Sequence, residues 1–320
     1  MNMIRCNKSI FALATLVFLG GSFPFLLQSR ANGIKAIVFD VGGVLIDFPR
    51  SGAVKRLTRE LGIGGLIGQA FRGNLSGVSS RVFEVMEKIG GKQVPEAGCK
   101  CACGNGSELP HLFCLWQAGL ITSDELREII EKELDEQPEK YLRNNSEKRL
   151  LRAIFDIVLD PAACAQSIAK GVALLRDCVG CMGEGRVFLL SNFDREGFTD
   201  LRTNPACASI FELLNPANFF VSGFVGALNT DGTVKNIKPY RSIYCSFCEK
   251  YNLKPYEVLF IDDQPENICG AREAGMLAMH LENGNYDEVR EVLEKLGVLS
   301  DGDDSGSSVA RGLARMPAAQ

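Results

Sequence analysis

A short apolar run at 34–39 is followed, in the second half of the chain, by an alternation of short apolar runs and amphipathic stretches. Runs rich in β-branched or aromatic residues, ended by polar residues or glycine, predict buried strands. The stretches between them have apolar positions every three to four residues and predict helices. This alternation is typical of a parallel sheet covered on both faces. The predicted elements are strands at 34–39, 186–190, 219–221, 258–261 and 277–281, and helices at 167–179, 240–251, 266–274 and 286–296.

A long helical block separates the first predicted strand from the second. Residues 53–61 and 123–134 have the clearest helical periodicity, and Thr-Ser-Asp-Glu at 122–125 is a capping-box sequence. Between these helices, residues 90–108 are rich in glycine and cysteine and predict an irregular insertion. The pattern therefore predicts an α/β fold, in which a Rossmann-like parallel-sheet core carries an inserted helical cap domain.

The same patterns set the expected domain boundaries. Residues beyond 299 are rich in Gly, Ser and Asp, a composition expected to be disordered. The expected division is a signal peptide or membrane anchor at 1–31, a core formed by 32–50 and 180–299, a helical cap with the Gly/Cys-rich insertion at 51–179, and a disordered tail at 300–320.

An uncharged segment at 10–27 follows Arg5 and Lys8 near the N-terminus. A basic start, an apolar run and small residues around Ala31 are typical of a signal peptide, and the run also reaches the lower limit for a membrane span. A cleaved signal and an uncleaved anchor both fit this pattern. Because positive charges on the N-terminal side favour export of the remainder of the chain, we expect an exported or membrane-anchored protein.

Composition and charge exclude several classes of function. With 46% hydrophobic and 23% charged residues, the 320-residue chain is typical of a globular protein. Its net charge is −4, and no strongly basic block is present, which argues against a nucleic-acid partner. Two histidines in the whole chain argue against a metal site built from several histidines. The sequence leaves the oligomeric state open.

Twelve cysteines are many for a cytosolic enzyme and few for a disulfide scaffold. Cys178 and Cys181 lie in a Gly-rich stretch and could close a small loop by a disulfide. Disulfides or free thiols fit the spacing better than a zinc site, which would lack a standard finger pattern. The residues available for such a zinc site would be Cys99, Cys101, Cys103 and Cys114.

Polar residues end three of the predicted strands: Asp40, the pair Ser191 and Asn192, and the pair Asp262 and Asp263. The carboxyl ends of strands are where open α/β sheets bind ligands, so we expect these side chains to lie close together. Three carboxylates in one small site repel each other and need a cation, and an oxygen-only set suits Mg²⁺. Such a site is typical of phosphoryl transfer.

Four segments, in order, resemble the motifs of the haloacid dehalogenase superfamily. The similarity extends over roughly 35–282, with a cap-sized gap after the first motif. It implies a hydrolase that acts on a small phosphorylated substrate through a phospho-aspartyl intermediate. The matching segments are Phe-Asp-Val-Gly-Gly-Val-Leu at 39–45, Leu-Leu-Ser-Asn at 189–192, Lys-Pro at 238–239, and Phe-Ile-Asp-Asp-Gln-Pro-Glu-Asn at 260–267.

The resemblance implies catalytic and substrate-binding roles. Asp40 would be the nucleophile. Ser191 and Lys238 would bind the phosphoryl oxygens and stabilise charge in the transition state, and Asn192 would support substrate binding. Taken singly, Ser191 could instead cap the next helix, and Lys238 could be an ordinary surface lysine.

The resemblance also implies a magnesium site. Its ligands would be Asp40, the backbone carbonyl of Gly42, Asp262 and Asp263, directly or through water. Taken alone, the two adjacent aspartates could be a solvated turn. Four motifs in the expected order make that coincidence improbable.

One departure from the family concerns proton transfer. Its phosphatases usually carry a second aspartate two residues after the nucleophile, where this chain has Gly42. General acid–base help is worth about 10²- to 10⁴-fold in rate. Sugar-phosphate phosphatases that resemble α-D-glucose-1-phosphate phosphatases share the Asp-x-Gly pattern, and a good leaving group needs less protonation. Asp47 could substitute for the missing acid–base aspartate, although an aspartate in such a position is more commonly an ordinary exposed loop residue.

A second departure precedes Lys238. Residues 227–237 form a longer link than usual and contain Asn-Thr-Asp-Gly-Thr at 229–233, a sequence typical of hairpin turns.

Three functions stay open: a phosphatase, a non-hydrolytic phospho-ligand-binding or structural protein on the same fold, and a thiol-redox or zinc module.

Overall fold

A computed structural model describes residues 33–49, 75–92, 109–142 and 145–300 of the chain. The predicted helix at 53–61, the N-terminal signal or anchor, the C-terminal tail and most of the Gly/Cys-rich segment lie outside these residues. Among the residues that are described, no helix has the length and apolar character needed to cross a membrane.

Nine strands occur in the described residues, and five of them form one parallel sheet. In chain order the strands are β1 Ala36–Phe39, β2 Ile46–Asp47, β3 Gln166–Ser167, β4 Val187–Ser191, β5 Phe219–Val221, β6 Ala227–Leu228, β7 Val234–Lys235, β8 Val258–Asp262 and β9 Leu277–His280. The order in the sheet is β5-β4-β1-β8-β9, and every pair is parallel. All five predicted core strands are confirmed.

Twelve α-helices accompany these strands in the described residues. In chain order they are α1 Leu75–Gly90, α2 His111–Gln117, α3 Ser123–Glu136, α4 Pro138–Tyr141, α5 Asn145–Val158, α6 Ala169–Met182, α7 Arg195–Thr203, α8 Ala208–Phe211, α9 Ser222–Val225, α10 Arg241–Lys250, α11 Pro265–Glu273 and α12 Tyr286–Lys295. The predicted helices α6, α10, α11 and α12 alternate with the strands of the sheet.

Helices cover both faces of the sheet, which explains why its inner strands are continuous apolar runs. One face packs against α6, α7 and α12. The other packs against α10 and α11. In β1, alternate side chains serve the two faces: Ile37 and Phe39 belong to the first cluster, and Ala36 and Val38 to the second. The Rossmann-like core is therefore confirmed.

The position of α6 conflicts with the expected domain boundary, which assigned residues up to 179 to the cap. Its apolar residues Val172, Leu175 and Cys178 pack against the sheet beside Val187 and Leu189. We therefore place α6 with the core, so the chain returns to the core before residue 169. The amphipathic pattern of the helix predicted a buried face but contained no signal for what covers it.

The cap is a helical bundle with its own apolar cluster. Its interior combines residues of α1, α2, α3 and α5, and Trp116 is among the largest of its buried side chains. The indole of Trp116 donates to the Ser123 hydroxyl at 3.0 Å. The capping box that begins α3 is present, with Thr122 and Glu125 exchanging hydrogen bonds between side chain and backbone.

Strands β6 and β7 form an antiparallel hairpin in the link before Lys238. Its turn is closed by the backbone N–H of Asn229 donating to the carbonyl of Thr233 at 2.8 Å. The hairpin predicted at 229–233 is thus confirmed. Val234, at the start of β7, is fully buried against Cys114 and Ala118 from the cap side.

The described cysteines include seven free thiols, and Cys269 is disulfide-bonded. Cys178 and Cys181 are both free and lie within α6, so the loop closure considered for them is wrong. Cys114 is a buried thiol, and burial raises its pKa to about 12. The other three cysteines of the zinc hypothesis lie outside the described residues.

Asp194 gives the fold a pH dependence that can be measured. It caps α7 by accepting the N–H of Gly197 at 2.8 Å, while its Oδ2 is buried with no hydrogen-bond donor among the described residues. Burial is the main cause that raises its pKa to about 6. A raised carboxyl pKa means that the folded state binds the proton more tightly, so this group's contribution is largest below pH 4 and is lost as pH rises through 6.

Asp194→Asn should therefore remove a loss of stability between pH 4 and pH 7. Relative to wild type, the variant should gain about 2–3 kcal/mol across that interval. Denaturant unfolding of both proteins at a series of pH values measures the difference. A constant difference across the interval would show that Asp194 titrates normally.

Candidate active site

Three neighbouring strands bring the predicted residues to one edge of the sheet. Asp40 directly follows β1, while Ser191 and Asp262 are the last residues of β4 and β8. Since β1 lies between β4 and β8 in parallel register, the three carboxyl ends meet. The backbone N–H of Asp40 extends the ladder by donating to Ile261 O at 2.9 Å.

Lys238 joins two of these strand ends. Its ammonium lies 2.7 Å from Asp40 Oδ1 and 2.7 Å from Asp262 Oδ2. The three residues are 3%, 6% and 0% exposed, so water screens the pairs little. Burial by itself lowers the pKa of Lys238, but the attraction of Asp262 and Asp40 outweighs it, and the net shift is upward. Lys238 is therefore not a surface lysine.

Asp262 is held by more than the ammonium. Its Oδ1 accepts the N–H of Gln264 at 2.8 Å, and the Asn267 amide lies 3.0 Å from both carboxylate oxygens. Asn267 received no role from the sequence, although it ends the fourth motif. Its position at the start of α11, five residues after Asp262, was the signal that could have indicated this contact.

Asp40 has one carboxylate oxygen engaged and one available. Oδ1 accepts the N–H of Val41 at 2.6 Å as well as the Lys238 ammonium. No described residue donates to Oδ2. Burial is the main cause that raises the pKa of Asp40 to about 8; Lys238 opposes the shift and Asp262 adds to it. Positive charge added near Asp40 would therefore favour its ionised form.

Asp263 completes an acidic cluster with Asp40 and Asp262. One carboxylate oxygen from each lies within 4.8 Å of those of the other two. Burial, followed by repulsion from Asp262, raises the pKa of Asp263. Three carboxylates face one ammonium, so the cluster has an excess of negative charge. A hard divalent cation with oxygen ligands fits this donor set.

The motif-two residues take different positions. Ser191 is buried, and its hydroxyl makes no hydrogen bond to the described residues. Asn192 instead contacts the backbone of Lys238: its Oδ1 accepts the Lys238 N–H at 2.8 Å, and its Nδ2 donates to the Lys238 carbonyl at 2.8 Å. The structure thus brings Asn192 to the lysine.

The two glycines after the nucleophile have different constraints. Gly43 has a φ of +73°, and a Cβ there would overlap the Asp263 carboxylate. Gly42 lacks a positive φ, and its added Cβ would meet only the ring of Phe48, at 3.7 Å. Position 43 therefore requires glycine, whereas position 42 has room for a side chain.

Asp47, the alternative proton donor, is exposed at the end of β2. Burial raises the pKa of the Tyr286 hydroxyl to about 12, with smaller contributions from the negative charges of Asp263 and then Asp47. Tyr286 itself donates to Val44 O at 2.7 Å in the loop after β1. Asp47 follows the turn after β1, in which the N–H of Gly43 donates to the carbonyl of Ile46 at 2.8 Å.

Comparison with known proteins agrees with the fold. A family model of haloacid dehalogenase-like hydrolases matches residues 34–275. No curated protein matches the sequence significantly.

Several solved structures are similar to this chain. One is a HAD family enzyme of Bacteroides thetaiotaomicron in complex with magnesium and inorganic phosphate; it is 20% identical over 79% of this chain and 96% of its own, with a TM-score of 0.46. A predicted HAD-like hydrolase of Porphyromonas gingivalis is 21% identical over 82% of this chain and 98% of its own, with a TM-score of 0.47. A HAD family hydrolase of Deinococcus radiodurans with phosphate and sodium is 14% identical over 84% and 98%, with a TM-score of 0.46.

Proposed function

The chain belongs to the haloacid dehalogenase-like hydrolases, and on that premise we propose that it is a magnesium-dependent phosphatase of a small phosphorylated metabolite. The observation that carries the proposal is the state of Asp40. Its carboxylate is buried, with Oδ1 fixed by Lys238 and Val41 and no described donor on Oδ2. A carboxylate held by one oxygen beside a buried ammonium is arranged to attack an electrophile with the other.

Two displacements at phosphorus would complete the reaction. Asp40 Oδ2 bonds to phosphorus as the ester oxygen leaves with its electron pair and takes a proton from solvent, giving a phospho-aspartyl intermediate. Water then attacks the same phosphorus and releases a proton to solvent, the bond to Asp40 breaks, and inorganic phosphate and a free carboxylate result. Lys238 and the Ser191 hydroxyl would stabilise charge on the phosphoryl oxygens.

Mg²⁺ is the cofactor that suits the acidic cluster. Asp40, Asp262 and Asp263 would hold it, together with the backbone carbonyl of Gly42. When bound, the ion supplies positive charge that offsets the crowded carboxylates and the phosphoryl group. Asp262 also binds Lys238 and Asn267, so its position is fixed before any ion arrives.

Gly42 limits the leaving groups that the site can serve. The position that carries the acid–base aspartate in related phosphatases here faces the ring of Phe48, which cannot donate a proton. A substrate whose leaving group is stable as an anion, such as an anomeric sugar phosphate, avoids this requirement. The same feature favours the second candidate function, a protein that binds a phosphorylated ligand without hydrolysing it.

Asp40→Asn should abolish phosphate release and leave the fold intact, because an amide is a poor nucleophile. The measurement is phosphate release from a panel of phosphorylated metabolites with Mg²⁺, together with circular dichroism. Asp287→Asn, which removes an exposed carboxylate from α12, is the matched control and should keep wild-type activity. Turnover by Asp40→Asn near the wild-type rate would rule out this nucleophile, and no turnover by wild type would favour the non-hydrolytic candidate.

Mg²⁺ should stabilise the folded protein by mass action, by about 2.7 kcal/mol at a hundred times its Kd. Thermal unfolding in a Mg²⁺ titration measures this. Asp263→Asn should lose most of the shift, since it removes one ligand charge, and Asp287→Asn should keep it. An unchanged Tm at millimolar Mg²⁺ would contradict the metal site.

Gly42→Asp should accelerate esters with poor leaving groups most, by up to about 10²-fold, the low end of general acid catalysis. The backbone at Gly42 accepts a Cβ, so the variant should fold. Gly42→Asn, of the same size but without an acidic proton, is the matched control and should give no such gain. Rates for a series of leaving groups measure the effect.

A wild-type rate that is independent of leaving-group pKa, with chemistry limiting, would contradict this role of Gly42. Another residue would then supply the proton, and Asp47→Asn is the first variant to test.

A further inference from the structure

We propose that Asn192 and the β6–β7 hairpin are positioning elements for Lys238, and that cap helix α2 supports the hairpin. The inference rests on the proposed function, in which Lys238 binds the phosphoryl group. It assigns a purpose to the unusually long link at 227–237, and it gives Asn192 a role that acts through the lysine.

Asn192 fixes the backbone on both sides of the Lys238 Cα. Its amide accepts from the Lys238 N–H and donates to the Lys238 carbonyl, each at 2.8 Å. This commits the amide oxygen and one of the two amide hydrogens, and the backbone groups gain partners at a partly buried position. Because Asn192 directly follows β4, these bonds attach the backbone of Lys238 to the strand that carries Ser191.

The segment before the lysine is fixed independently. Asn236 has a φ of +60°, a conformation that asparagine adopts more readily than most residues. Its backbone N–H donates to Ser242 Oγ at 3.1 Å, its Nδ2 donates to Val225 O at 2.8 Å, and its Oδ1 accepts from Ser246 Oγ at 2.9 Å. The end of the hairpin is thereby attached to α9 and α10.

Apolar packing connects this segment to the cap. Val234, Ile237 and Tyr240 are buried in one cluster with Cys114 and Ala118 at the end of α2. The two residues that flank Lys238 and Pro239 in sequence therefore pack against a cap helix. A change in the position of α2 would be transmitted to the backbone that carries the lysine.

Placement matters because Lys238 serves two carboxylates at once. Its ammonium is 2.7 Å from each, and a displacement of about 1 Å in a reacting group can lower a rate by roughly 10²-fold. A flexible side chain on a loose loop would not hold that geometry. Backbone hydrogen bonds on one side and close packing on the other restrict it.

Asn192→Ala tests the core half of the proposal. It should weaken binding of inorganic phosphate in Mg²⁺ by roughly ten- to hundredfold, since two backbone partners are lost, while the Kd of Mg²⁺ stays within about threefold. Asn218→Ala is the matched control: the Asn218 amide also donates to two backbone carbonyls, those of Glu184 and Val187, at the opposite end of the sheet. It should leave phosphate affinity unchanged.

A double-mutant cycle separates positioning from direct substrate contact. If Asn192 acts through the lysine, Asn192→Ala should add little to the loss of phosphate affinity in Lys238→Ala, and should add its full effect to Ser191→Ala. Additive losses with both partners would mean that Asn192 binds the substrate itself, which overturns the positioning role.

Cys114→Ala tests the cap half, and keeps the proposal testable if Asn192→Ala fails to fold. The variant opens a small space between α2 and the hairpin and should weaken phosphate binding by about 2- to 30-fold. Cys178→Ala removes an equally buried thiol from α6, remote from the hairpin, and should not.

Equal phosphate affinity for the Cys114 and Cys178 variants overturns the role of the cap. If wild type binds phosphate, and Asn192→Ala and Asn218→Ala bind it with equal affinity, the role of Asn192 is overturned and the proposed function stands. A wild type that neither binds nor releases phosphate in Mg²⁺ overturns the proposed function and this inference together.

Discussion

A single buried ammonium between two buried carboxylates is the interaction on which the rest of the site depends. Removing these charges from water is expensive, and their attraction compensates only where the geometry is good and the remaining polar atoms find partners. The protein meets that condition with short local bonds: the Val41 N–H on Asp40, and the Gln264 N–H and Asn267 amide on Asp262. These required hydrogen bonds therefore restrict the conformation of the loops after β1 and β8.

The same constraint explains residues that have no chemistry of their own. Gly43 turns the loop after β1 and leaves room for the Asp263 carboxylate, which any Cβ would overlap. Tyr286, from a helix near the end of the described chain, donates to Val44 O and ties α12 to that loop. Bringing a third carboxylate toward Asp40 and Asp262 raises the repulsion within the cluster. The fold thus places excess negative charge where a cation can reduce it.

The sequence predicted what local patterns determine. Strand β1 and its terminal Asp40 follow from an apolar run that ends abruptly, and the capping box at Thr122 follows from four adjacent residues. Contacts between distant segments could not be predicted. The side to which Asn192 turns depends on how closely the Lys238 backbone approaches it. The assignment of α6 depends on which surface covers its apolar face, and no periodicity contains that information.

Helix α2 shows how the cap and the catalytic core share one structural element. Leu112 and Trp116, four residues apart, belong to the apolar interior of the cap. Cys114 and Ala118, with the same spacing on the other side, pack under the hairpin of the core. A helix of seven residues therefore has both faces buried, in two different units.

The end of α2 packs directly against the backbone of the core, and this close contact limits how the cap can move. A Cβ on Gly119 would overlap the carbonyl of Gly223, and the Ser222 hydroxyl donates to the Gln117 carbonyl at 2.5 Å while accepting the N–H of Phe193 at 3.0 Å. Lifting α2 would break these bonds next to Asn192 and expose the cluster that supports Lys238. Access for a substrate without loss of the lysine's support therefore requires other parts of the cap to move while α2 stays in place.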